Sequence, residues 1–107
     1  MSKKTKLEQV TLKDQSLPFE LELESMVLGA IMLDNRTLYE IGKDFSKNLF
    51  YDEKNKIIAK TMFNMFSKSI PIDIVSIVSE LKKTENLEKS GGLYYLSTLT
   101  NKVSSTI

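Results

Sequence analysis

Three carboxylates stand at alternate positions, Glu20, Glu22 and Glu24, within the stretch PFELELESMVLGAIMLD that runs from Pro18 to Asp34. Clustered carboxylates can hold a divalent cation or share a proton in acid–base chemistry. Both uses need further ligands or a base, and this chain has no His and no Cys. Thiol nucleophiles, disulfides, most zinc sites and the commonest general base are thereby removed. No second ligand cluster is visible, and acids in the first turn of a helix are favoured by its macrodipole without any catalytic role. Gly91-Gly92 is a candidate phosphate turn, but the Lys-Ser/Thr that should follow is missing. Tyr94 and Tyr95 are of the residue type enriched at binding hot spots. Neighbouring helix positions point about 100° apart, so one tyrosine is expected in the core and the other at the surface. Sequence leaves open which is which. The residues therefore point to binding rather than turnover, and no cofactor or metal is expected in this chain.

The elements that must position these groups read as helices. Pro18 or Glu20 opens the first, since the earliest N–H groups of a helix lack partners and tolerate Pro. Residues 27, 28 and 31 are expected to be buried and the three glutamates exposed. The run Met26 to Leu33 is apolar around most of its circumference, which marks a central helix. Asp34 can cap a short second helix carrying Leu38, Tyr39 and Ile41, weakened at Gly42, with a loop over 44–48. After the apolar knot Leu49-Phe50-Tyr51, Asp52 caps a helix over Glu53 to Ser67. Ile57, Ile58, Met62, Met65 and Phe66 give that helix one buried face, and Lys54, Lys56 and Lys60 a solvated one. The methionines at helical spacing read as core filler. Pro71 breaks the pattern and Asp73 caps a helix over Ile74 to Lys83, with Ile74, Ile77, Val78 and Leu81 on one stripe. Thr84 to Ser90 is a polar connection with Leu87 turned inward. Gly91-Gly92 permits an unusual turn or a close backbone approach. Leu93, Leu96 and Leu99, at spacing three, define a last helix from Leu93 to about Thr100. No strand pattern and no internal repeat survive.

The fold class is accordingly all-α: a bundle of about five or six short helices around a central first helix, spanning residues 18–107. Residues 1–17 read as a disordered arm. With 107 residues, 41% hydrophobic and 27% charged, the chain suits one small domain. A net charge of +1 gives no bulk attraction for nucleic acid. No run approaches a membrane span, Lys3, Lys4 and Lys6 precede no apolar signal segment, and the lack of Cys fits a cytoplasmic location.

Four segments stand in order: Pro18-x-x-x-Glu22-x-Glu24-x-x-Val27-Leu28-Gly29, Phe50-Tyr51 with the helix through Ile58 and Met62, Pro71-Ile72-Asp73, and Gly91-Gly92-x-x-Tyr95-Leu96. Together they resemble the N-terminal domain of the bacterial replicative DNA helicase, the DnaB family. The resemblance implies an all-helical head that precedes a helical hairpin and a RecA-like ATPase domain, both beyond this chain. It implies self-association into dimers and a hexameric ring whose collar docks the C-terminal domain of primase and, in some species, a helicase loader. It carries Glu22 and Tyr95 over as primase-facing residues, and leaves ATP, Mg and DNA to the missing motor. One departure is Asn55, near a position where the family commonly has His. The competing reading is a free-standing helical nucleic-acid-binding module, motivated by the basic arm and the lysine face.

Overall fold

The helix boundaries follow from capping chemistry at the points where the apolar pattern begins and ends. The computed structural model describes residues 20–41 and 50–106, the side chains of 102 and 104–106 excepted. Among the described residues there are five helices and no strand. They are α1 (20–33), α2 (Arg36–Ile41), α3 (Glu53–Ser67), α4 (Ile74–Lys83) and α5 (Gly92–Thr106). The expected arm, the Pro18 start, Gly42, the 44–48 loop and Leu49 lie outside the described residues.

Within α1, Leu28 and Ile31 are fully buried and Met32 nearly so. Each such side chain removed from water is worth about 1.5–3 kcal/mol. They join Ile58, Met62 and Met65 of α3, Ile77 and Leu81 of α4, and Leu96 and Leu99 of α5 in one core. α3 packs on α4, and α4 on α5. α1 meets α3 through Glu24 and α5 through Ser25 and Gly29, which gives it the central position its composition suggests.

Gly29 is where α1 and α5 come closest. A Cβ at this position would collide with the Leu99 carbonyl and lie 2.9 Å from a Val103 methyl. Ser25 contacts Tyr95 and Gly29 contacts Leu99, so the two helices run parallel here.

α3 and α4 start at Asp52 and Asp73, as their sequence predicts. Asp52 accepts from the amides of Lys54 and Asn55. Asp73 forms a reciprocal capping box with Ser76. Both helices end in a tight reversal in which a non-glycine residue takes a left-handed conformation: Ser69 with φ 59° and Glu85 with φ 59°. The Ile70 amide donates to the Met65 carbonyl and the Asn86 amide to the Leu81 carbonyl, the six-to-one bonds of that reversal. Left-handed conformations strain any side chain with a Cβ. Ser69→Gly and Glu85→Gly are therefore each expected to stabilise the domain by about 0.5 kcal/mol, after the extra unfolded-state freedom of glycine is deducted. A shifted urea midpoint at constant slope would register it.

A side-chain clamp replaces a helix contact at the α1–α2 corner. Asn35 Nδ2 donates to the carbonyls of Ile31 (2.7 Å) and Ile72 (2.8 Å), and its Oδ1 accepts from the Ile72 amide at 2.8 Å. The segment that leads into α4 is thereby tied to the end of α1. Beside it, Asp34 accepts from the Arg36 amide at the start of α2. The Arg36 guanidinium, hydrogen-bonded to that carboxylate, holds it below the usual carboxylate range. Both groups are solvated, so the pair acts as a local cap rather than an anchor.

Three expectations need correction. The last helix does not end near Thr100 but continues to Thr106. No breaker interrupts it, and the packing of Leu99 and Val103 over Gly29 favours the extra turns. Leu93 does not join Leu96 and Leu99 in the core; it is 58% exposed. Six residues of helix turn about 600°, so Leu93 lies about 120° from Leu99 and spacing three does not keep one face. The Phe50-Tyr51 knot divides, with Phe50 buried and Tyr51 exposed.

Candidate functional site

Glu24 overturns the reading of the first-turn glutamates as an exposed set. Glu22 is exposed, but Glu24 is 6% exposed. Residues two apart on a helix do not share a face, so the alternation sends the carboxylates in different directions. Glu24 points at the N-terminus of α3. Its carboxylate accepts from the Tyr51 amide at 2.8 Å and the Asp52 amide at 3.4 Å. It therefore satisfies donors that precede the first turn of α3, at the positive end of that helix.

The same carboxylate starts a chain of side chains. Asn55 Nδ2 donates to Glu24 Oε1 at 2.9 Å. Asn55 Oδ1 accepts from the Tyr95 hydroxyl at 2.5 Å. That hydroxyl is also 3.3 Å from Ser25 Oγ, which donates to the Leu21 carbonyl. Asn55 is 1% exposed, so its amide must find partners inside the protein, and both ends do. Among the described residues, every buried side-chain nitrogen or oxygen has a partner. The network joins α1, α3 and α5 at one end of the domain. Nothing in the spacing of Glu24, Asn55 and Tyr95 announces it, because the three meet only after folding.

Tyr95 is held there from a second side. Its ring packs on the turn at Gly91, where φ is +102° and a Cβ would lie 2.7 Å from the ring. The pair Gly91-Gly92 thus supplies both the close approach and the unusual turn that its sequence allows. The Lys54 ammonium sits 4.7 Å from the ring centroid, a cation–π geometry. The lysine face of α3 is solvated, as expected, but Lys54 covers an aromatic ring as well. The choice left open between the tyrosines is settled: Tyr94 is 82% exposed and Tyr95 is half-buried.

Glu22 lies one turn before Ser25 on α1, and Ser25 touches the Tyr95 hydroxyl. Of the two sequence-predicted site residues, Tyr95 makes this contact between parallel helices and Glu22 lies one turn of α1 away from it. Lys54, over the Tyr95 ring, is exposed, and so are Glu22, Tyr51 and Tyr94. Among the described residues no three His, Cys, Asp or Glu side chains gather where they could hold a metal ion. Among the same residues no helix is long and apolar enough to cross a membrane.

Tyr95→Phe is expected to destabilise the fold by about 1–2 kcal/mol, because it leaves the buried Asn55 Oδ1 without its donor. Tyr94→Ala should stay within about 0.5 kcal/mol of the parent. Urea unfolding of the two variants side by side separates the roles.

Comparisons with known proteins converge on one family. The family described as DnaB-like helicase N terminal domain matches residues 16–107. The replicative DNA helicase DnaB of Buchnera aphidicola subsp. Baizongia pistaciae is 34% identical over 104 residues, covering 97% of this chain and 22% of that relative. The replicative DNA helicase DnaC of Bacillus subtilis is 34% identical over 92 residues, covering 86% of this chain and 20% of the relative. This chain thus spans a small part of these relatives. The crystal structure of the N-terminal domain of DnaB helicase from Mycobacterium tuberculosis has the same fold. It matches with a TM-score of 0.74 at 25% identity, over 78% of this chain and 60% of that one.

Proposed function

The chain belongs to the DnaB-like helicase N-terminal domain family, and from that premise we propose that it is the non-catalytic docking and assembly domain of a hexameric replicative DNA helicase. In this role it contributes to the collar of the ring and receives the C-terminal domain of primase, with a helicase loader as the alternative partner. The observation that carries the reading is the family match over residues 16–107.

The geometry supports docking in a specific way. Tyr95 is fixed by Asn55 and by Gly91 before any partner arrives. A preorganised surface loses less entropy on binding than a mobile one. Glu22 and Lys54 are exposed and opposite in charge, and such charges set orientation and rate of encounter more than affinity. ATP and magnesium belong, on this reading, to the motor domain of the longer relatives. In the Gly91-Gly92 turn the amides are already used, with the Gly91 amide donating to the Glu88 carbonyl and the Gly92 amide to the Leu87 carbonyl.

Calorimetric titration with the C-terminal domain of the same organism's primase tests the proposal. Saturable binding with a Kd of about 1 µM, or about −8 kcal/mol, is expected. Glu22→Lys should weaken it by roughly tenfold, with a melting curve recorded beside it to separate binding from stability. Absence of binding, both for this chain and for one extended through the following hairpin, would overturn the primase assignment.

A further inference from the structure

We infer that the groove between α4 and α5 is a second docking site, and that its occupant is an acidic amphipathic helix of a partner protein. The groove goes beyond the docking surface around Glu22 and Tyr95, from which it is turned away. Leu93 belongs to the groove, and about 200° of helix rotation separates it from Tyr95.

The floor is formed by Ile74, Val75, Val78 and Leu93, with Lys82 and Lys83 at one end. Val75 is 77% exposed and Leu93 is 58% exposed. Ile74 and Val78 are half-buried and continue into the core. An apolar strip that rises from the core to such exposure is the kind of surface that partner helices cover. The α4 wall is capped at both ends before anything binds. α4 is fixed at its start by the Asp73–Ser76 capping box and at its end by the reversal at Glu85. Three of the four floor residues are β-branched, with little rotamer freedom to lose.

Charge selects the occupant. No acidic side chain lines the groove, although the chain carries 14 acidic residues in all. The two lining charges are both positive and sit together on the last turn of α4. Lys83 reaches Glu80 at 3.6 Å, but its side chain remains 69% exposed. Lys82 is also exposed. α4 has 10 residues, so the groove is about 15 Å long and matches a partner helix of about three turns. That helix needs apolar residues at i, i+3 or i+4, and i+7, and carboxylates at the end that meets the lysines.

A synthetic 14-residue helix of that pattern, with two glutamates at one end, serves as the probe against the full chain. Amide chemical-shift changes are expected to centre on Val75, Val78, Lys82 and Leu93. Val75→Glu should weaken binding by roughly tenfold or more, since it places a carboxylate on an apolar contact. Val75 is exposed, so the variant is expected to fold, and its melting curve checks this. A second variant, Lys82→Glu with Lys83→Glu, should reject the acidic probe and accept one with lysines in place of the glutamates. Shifts that scatter over the surface, or binding indifferent to both variants, would overturn the inference. So would concentration-dependent self-association of the chain alone that Val75→Glu abolishes, because the occupant would then be a second copy.

Discussion

Gly29→Val is expected to destabilise the domain by about 3 kcal/mol, at the upper end of overpacking costs. At the Tm that corresponds to a fall of roughly 12–24 °C for a domain of this size. The reason is geometric. The missing Cβ is what lets α1 approach the Leu99 carbonyl, and backbone cannot rotate aside as a side chain can. Separation of α1 from α5 would also pull Ser25 from Tyr95 and expose Leu28 and Leu96 to loose packing. Gly29→Ala should cost less, about 2 kcal/mol, because alanine recovers about 1 kcal/mol of helix propensity. Thermal and urea unfolding followed by circular dichroism would measure both. A valine variant as stable as the parent would mean that the helices do not touch at this point.

Glu24→Ala should be comparably damaging, by about 3 kcal/mol. It removes a carboxylate that accepts from the Tyr51 amide and the Asn55 side chain, and it leaves the latter buried without an acceptor. It also removes negative charge from the N-terminus of α3. Glu24→Gln should fall between alanine and the parent, because one oxygen remains while the new amide faces donors. Glu22→Ala, two residues away and exposed, is the control, with a change within about 0.5 kcal/mol. Equal urea midpoints for Glu24→Ala and Glu22→Ala would rule out the internal role of Glu24.

The contrast between those two glutamates shows what was legible in the sequence. Helix starts at Asp52 and Asp73 were readable because a cap acts within three residues of itself. The buried faces of α3 and α4 were readable because periodicity is local too. Glu24 was not, since alternating acids in a first turn look the same whether or not another helix starts beside them. Gly29 carries no signal of its own within an apolar run, and only the path of α5 makes it a contact. The ends of Asn35 and Asn55 are likewise bonded to residues 37 and 40 positions distant. The pair Tyr94 and Tyr95 was legible as one in, one out. The side was decided by Gly91 and Asn55, which only the folded chain brings to Tyr95.

An apolar helix such as α1 has several registers in which it could seat, because leucine and isoleucine pack almost anywhere. Glu24 and Gly29 together leave one. A slide of one turn in one direction would keep a carboxylate, Glu20, at the place of Glu24. It would also bring Ser25 to the place of Gly29, and a Cβ would then meet the Leu99 carbonyl. A slide the other way would set Leu28 against the Tyr51 amide and the Asn55 side chain, and buried donors would lose their acceptor. The two residues act as the teeth of a key, five positions apart on one helix. Burial drives α1 into the bundle, and this pair fixes where along its length it stops.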